Sequence, residues 1–178
     1  MSPLLPTLPG LIAEQIGLAL PDLGSCEGAS GRFDLKELRQ IGAKPPAVRV
    51  GLLRVGDGME VSGPAYHHPL RFAAYVITAD RGGLDRDDAA LAIVERLIGL
   101  IHGNAWGSDC LGEPMKVSAD NLYSAGARGQ GVAMWGVAWD QEIQIGARPV
   151  SAGALPAEWY ARGLGPGDTE ALVVDTAS

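Results

Sequence analysis

Pro69-Leu-Arg-Phe-Ala-Ala-Tyr-Val-Ile-Thr-Ala-Asp80, Asp85-Arg-Asp-Asp-Ala-Ala-Leu-Ala-Ile-Val-Glu-Arg-Leu-Ile-Gly-Leu-Ile-His102 and Val132-Ala-Met-Trp-Gly-Val-Ala-Trp-Asp-Gln-Glu-Ile-Gln-Ile145 belong to one stretch, and their reading decides the fold. The middle run is a helix. Asp85 is placed to cap it, and Asp87 and Asp88 put carboxylates in the first turn, where unpaired amides and the helix dipole favour negative charge. Ala90, Leu91, Val94, Leu97, Ile98 and Ile101 recur at helical spacing and form one apolar stripe. His102 falls in the last turn and Gly103 supplies the stop. The flanking runs are strands. Phe72 to Thr78 is rich in β-branched and aromatic residues. In the third run Ala133, Trp135, Val137, Trp139, Ile143 and Ile145 fall on one face, with Asp140, Glu142 and Gln144 on the other. The expected class is α+β: a mostly antiparallel sheet with a long helix packed across one face.

The rest of the chain is read outward from that core. Residues 1–8 are proline-rich and expected to be extended; Leu11, Ile12, Ile16, Ala19 and Leu20 then predict a helix closed by Pro21. Part of the stretch from Leu23 to Gly31 suits a short strand, and Asp34 with Glu37 suits a capped helix through Arg39. Lys44-Pro45-Pro46 is a break. Ala47 to Val55 alternates as a strand, and Gly56-Asp57-Gly58 reads as a hairpin turn into Met59-Glu60-Val61. Residues 62–68 read as a loop, 104–112 as a loop containing Trp106, Met115 to Tyr123 as a strand, and Ser124 to Gly131 as a glycine-rich loop. After Pro149 the periodicity fades. The expected organisation is a domain over residues 1–149 and an extended C-terminal segment over 150–178, serving contacts with other chains rather than the folding core.

Bulk properties narrow the function classes. A chain of 178 residues with 47% hydrophobic content suits one domain with a real core. The 25 glycines and 12 prolines predict many turns. A net charge of −7 disfavours direct nucleic-acid binding, which needs a basic surface to displace counterions. Cys26 and Cys110 lie far apart and outside any CxxC pair, so they allow a disulfide on arithmetic alone and give no sign of an oxidising compartment. The start lacks the basic, apolar pattern of a signal peptide, and Glu95 and Arg96 interrupt the most apolar helix, so no membrane span is expected and a cytoplasm is the expected setting.

Candidate chemistry is sparse. His67 and His68 are adjacent on an extended segment and point to opposite sides, a poor two-ligand arrangement; solvated loop residues are the better reading. Gly126-Ala-Arg-Gly-Gln-Gly131 has no following helix and no Walker lysine, so it reads as a hairpin loop rather than a phosphate cradle. The carboxylates at 85, 87 and 88 are explained by a helix start. No nucleophile elbow is present, and Cys110 has no base nearby in sequence. No cofactor or metal is expected. Leu4, Leu5, Trp106, Trp159 and Tyr160 lie outside the core elements, as contact residues or as satellite packing.

Several blocks occur together in one order: Ala73-Ala74-Tyr75-Val76, Arg81-Gly82, Arg86-Asp87, Asn104-Ala105-Trp106-Gly107, Asn121-Leu122-Tyr123-Ser124 and Gly131-Val132-Ala133-Met134-Trp135-Gly136-Val137-Ala138-Trp139. On these blocks the stretch from Pro69 to Ile145 resembles the tail terminator (tail completion) proteins of Mu-like bacteriophages. Residues after Pro149 are not covered. The resemblance implies an α+β subunit of a homo-oligomeric, hexameric ring at the head-proximal end of a phage tail. Such a ring stops tube polymerisation and joins the tail to head-completion or connector proteins. Its implied partners are the major tail tube protein, the sheath protein where the tail contracts, and DNA only as it passes through the lumen. The implied location is the virion tail–neck junction, after assembly in the host cytoplasm, with no membrane partner and no catalytic role. A ring needs a heterologous interface, and the glycine-rich loops 56–68 and 124–131 sit at strand ends. The candidate contacts are therefore Asp57, Tyr66, His67 and Arg128, with Trp106, Trp159 and Tyr160. Two other readings stay open: a small cytoplasmic enzyme with a site in those loops, and a tube-capping adaptor of a tailocin or secretion machine.

Overall fold

A computed structural model of the chain describes residues 4–29, 44–61, 65–80, 83, 85–122 and 132–146. The chain divides into two units, Met1–Gly146 and Ala147–Ser178, and the described residues all lie in the first. They form an α+β fold of six strands and two helices. In chain order these are α1 (Leu4–Ala19), β1 (Ser25–Ala29), β2 (Ala47–Val55), β3 (Met59–Val61), β4 (Ala65–Ala79), α2 (Arg86–Ile101), β5 (Met115–Asn121) and β6 (Val132–Gly146). The expectations for an Asp34 helix, for the Ser124–Gly131 loop and for everything after Pro149 fall outside the described residues.

The sheet order is β1-β2-β4-β6-β5, with β3 also on β4. Only β1–β2 is parallel. The spine is β4 against β6, paired without a slip from Ala65↔Gly146 to Ala79↔Val132. The alternation in these strands decides what each face meets. On one face Leu70, Phe72, Ala74 and Val76 of β4 join Ala133, Val137, Trp139 and Ile143 of β6 under both helices. Helix α2 contributes Ala90, Val94, Leu97 and Ile101, and α1 contributes Leu8, Ile12, Ala13 and Ile16. Phe72 and Trp139 stack with ring centroids 5.4 Å apart. The other face carries a second buried cluster of Ala47, Ala73, Tyr75, Ile77 and Met134.

Helix α2 follows its sequence closely. Asp85 caps it, accepting from the Asp87 amide at 2.8 Å, and His102 closes it. Leu91 departs from the expected stripe and is 46% exposed. The buried stripe is centred on Ala90, Val94, Leu97 and Ile101, and at about 100° per residue Leu91 falls at its edge.

Three expectations are corrected. The N-terminal residues from Leu4 are helical, not extended, and Pro9 lies inside α1. Pro6 falls in the first turn, where amides lack intrahelical partners anyway, whereas Pro9 forfeits the bond an amide there would make to the Leu5 carbonyl, a loss offset by the burial of Leu8 and Pro9 against the core. Gly56-Asp57-Gly58 is not a hairpin turn. β2 and β3 run in the same direction along the same edge of β4, at Val55↔Leu70 and Met59↔His67. The three residues interrupt one long strand, and the hairpin is β3–β4. Third, Tyr66, His67 and His68 belong to β4 rather than to a loop. The glycine at 58 has a steric reason: a Cβ there would lie 2.7 Å from Nε2 of His68, whose ring fills the interruption. His68 Nδ1 lies 3.1 Å from the Gly56 carbonyl oxygen, and the Gly56 amide donates to Pro69 at 2.7 Å.

Candidate functional site

Two assemblies of side chains stand out, one inside the fold and one on its surface. The inner one is built on Gln141. This residue is fully buried on the apolar face of β6, where its neighbours by alternation are Trp139 and Ile143. Its Oε1 accepts from Trp106 Nε1 at 3.0 Å and from Trp139 Nε1 at 3.3 Å. Its Nε2 donates to the Asn104 carbonyl at 3.1 Å and the Gly112 carbonyl at 2.7 Å. An amide side chain offers two donors and two acceptor sites, and all four are used. Trp106 reaches this node through a tight loop. Gly103, Trp106 and Gly107 take positive φ, with Trp106 at 55°, and the Asn104 side chain holds the turn by accepting from the Trp106 amide at 2.8 Å. A left-handed conformation costs a non-glycine residue roughly 1–2 kcal/mol, offset here by burial of a whole indole beside Trp139, centroids 6.1 Å apart. The loop then seals the outer edge of β6, where the Gly112 amide donates to Glu142 and the Gln144 amide to Cys110. Trp106 is therefore core, 0% exposed, and not a partner contact.

The second assembly lies at the β3 end of the sheet, on the face turned away from the helices. A groove of about 800 Å³ is lined there by Arg54, Asp57, Met59, Arg71, Lys116 and Asp140, among others. Asp140 sits opposite Arg71 across β4–β6. It accepts from Arg71 Nη1 at 2.8 Å and meets Lys116 Nζ at 3.2 Å. Burial alone would raise its carboxyl, but hydrogen bonds and charge from Arg71 and Lys116 outweigh that and hold it below the usual carboxylate range. Exposed apolar side chains gather at the same end: Met59 at 60%, with Val55, Tyr66, Met115 and Ile145. Tyr66 and Ile145 are a cross-strand pair, and alternation places them on the helix side of the sheet.

No family model matches the sequence, and no curated protein matches it.

Of the sequence-derived contact residues, Asp57 lines the groove, Tyr66 is exposed, and His67 faces Glu142 at 3.5 Å. Arg128, Trp159 and Tyr160 lie outside the described residues. Arg54, Arg71, Lys116 and Asp140 are not among those contact residues. Their signal is cross-strand charge pairing, which appears only once the β4–β6 register is known.

The remaining features offer little chemistry. The Cys26 thiol is pushed up to about 11 by burial, against the opposing charge of Arg49, and donates to the Ala13 carbonyl at 3.0 Å. A thiol held protonated is a poor nucleophile. Arg49 is buried, with Nη2 at 3.4 Å from Glu27 and Nη1 donating to Ser25 Oγ and the Val48 carbonyl. Among the described residues no group of three or more His, Cys, Asp or Glu side chains is placed to hold a metal ion.

Proposed function

We propose that the chain is a structural subunit of the ring that terminates a phage tail at its head-proximal end. In this reading the ring stops tube growth and docks head-completion proteins, and it acts through surfaces rather than a catalytic centre. The observation that carries the proposal is the meeting of the resemblance blocks. Asn104–Gly107 and the β6 block are far apart in sequence, yet both converge on Gln141, through Trp106 and Trp139. Motif residues spent on locking a loop to a strand specify a rigid scaffold, as a subunit that holds a fixed place in a ring requires. The apolar and charged cluster at the β3 end supplies a surface for such contacts.

A reconstruction of the virion neck tests the proposal. The chain is expected in the last ring above the tube; its presence inside the capsid or at the baseplate would reject the reading. Depletion gives a second readout. Tails should outgrow their normal length and fail to join heads, whereas normal tails joined to heads would refute the role. A ring capping a headless tube would keep the capping function and remove the head-joining one.

A further inference from the structure

We infer that the groove at the β3 end of the sheet receives a second copy of this chain, seating the first turn of that copy's α2 together with its Leu91. The inference rests on the ring reading above and names its contact. The groove combines an apolar side chain, Met59, with three cations, Arg54, Arg71 and Lys116, against two carboxylates, Asp57 and Asp140. Asp140 is already engaged by Arg71 and Lys116. Arg54 is exposed, and the Lys116 side chain is 77% exposed. In a chain of net charge −7, a cation-rich groove with an apolar floor is a local exception. It fits an acidic segment that also offers an apolar side chain.

The chain carries such a segment. Residues 80–88 hold four carboxylates, Asp80, Asp85, Asp87 and Asp88, against two arginines. Arg86 is drawn to Asp80 at 3.4 Å and Asp87 at 4.0 Å, while Asp85, Asp87 and Asp88 are exposed. Leu91 follows Asp88 by three residues and Asp87 by four, so one helix face presents both carboxylates and an exposed leucine. The same chemistry appears in mirror charge on the groove. The two surfaces lie at different levels of β4: Arg71, near its middle, lines the groove, and Asp80 follows the last strand residue, Ala79. At about 3.3 Å per residue they are roughly 30 Å apart. One copy can then use its groove on one neighbour and its helix start on another, which is the head-to-tail geometry of a ring.

Sedimentation velocity on the full chain, at rising concentration up to millimolar and at low and high ionic strength, tests this. Self-association is expected, weaker at high salt. Arg54→Glu with Lys116→Glu, and separately Asp87→Lys with Asp88→Lys, should each weaken it by at least about tenfold, since like charges then face each other. An equimolar mixture of the two variants should associate again, because the acidic altered groove fits the basic altered helix start, and the two retained surfaces still fit each other. Leu91→Gln, on an exposed position, should weaken association with the melting temperature unchanged, which covers the case in which the charge variants fold poorly. The inference is overturned if the wild type stays monomeric throughout, if it associates equally well in the variants, or if the mixture is no better than its components. Association that ignores all these changes removes this contact and leaves a ring open through another face. The expected pattern together with a neck that lacks the chain removes the terminator role and leaves the contact.

Discussion

Replacing Gln141 with leucine tests whether the inner node is what holds the 103–112 loop. The change keeps the volume approximately and removes both donors and both acceptor sites. Two indole N–H groups, of Trp106 and Trp139, and two backbone carbonyls, of Asn104 and Gly112, lose their partner at once. A buried polar group left unpaired costs about 1–3 kcal/mol. The carbonyls belong to a surface loop and can turn to water, so the two indoles set the estimate: about 2–6 kcal/mol, against a total stability of about 5–15 kcal/mol for a typical domain. In a domain of this size that corresponds to a melting shift of roughly 5–20 °C. Urea unfolding followed by tryptophan fluorescence measures it directly, with the slope checked for two-state behaviour. A double-mutant cycle sharpens the test. Trp106→Phe removes one indole donor; it should be costly alone and nearly neutral beside Gln141→Leu. A loss below about 1 kcal/mol for Gln141→Leu, or fully additive costs in the cycle, would refute the reasoning.

Four further outcomes are expected. Leu97→Ala, at a fully buried site facing the sheet, should cost about 2–5 kcal/mol, and an unchanged melting temperature would show that Leu97 is not core. Gly58→Ala should lower stability, because the new methyl meets the His68 ring, and His68→Ala should relieve much of that loss when combined with it. Asp140 has a lowered carboxyl in the folded state; its contribution is therefore present above the ordinary aspartate range near pH 4 and is lost as pH falls through the lower folded value. Asp140→Asn should flatten that acid limb in a pH series of unfolding midpoints. Purified protein should carry no stoichiometric metal, and a chelator should leave its melting temperature unchanged; metal lost together with structure would overturn that reading.

The elements legible in the sequence are those whose signals are local. Asp85, the first-turn carboxylates and Gly103 mark α2 without help from the rest of the chain, and the alternation from Ala133 to Ile145 marks β6. What escaped depends on pairing. Gly56-Asp57-Gly58 carries the chemistry of a tight turn, and the same chemistry serves a strand interruption; only the placement of β2 and β3 on one edge of β4 separates the two. Proline in the first residues reads as a break, yet a helix start tolerates it when a buried leucine follows. Gln141 interrupts an apolar alternation and so looks like a surface residue, and Trp106 sits between glycines and so looks peripheral. Each is buried because the other is there. No single-residue signal reports such mutual satisfaction. The surface groove was partly legible, through Asp57. Its cations come from β2, β4 and β5, which no local pattern brings together.

The unbroken β4–β6 ladder also sets how this chain must fold in time. Its paired residues are separated by roughly 50–80 positions along the chain, and every residue of β4 takes a partner on that side. Closing so long a loop costs entropy before any pair repays it. Helix α2 and the β3–β4 hairpin can form early from near neighbours, while β4 waits with one edge bare until β6 arrives. Refolding should therefore be paced by a long-range event on the millisecond-to-second scale rather than by microsecond helix formation. Substitutions along β6 that change stability should then divide between folding and unfolding rates according to how early that strand docks.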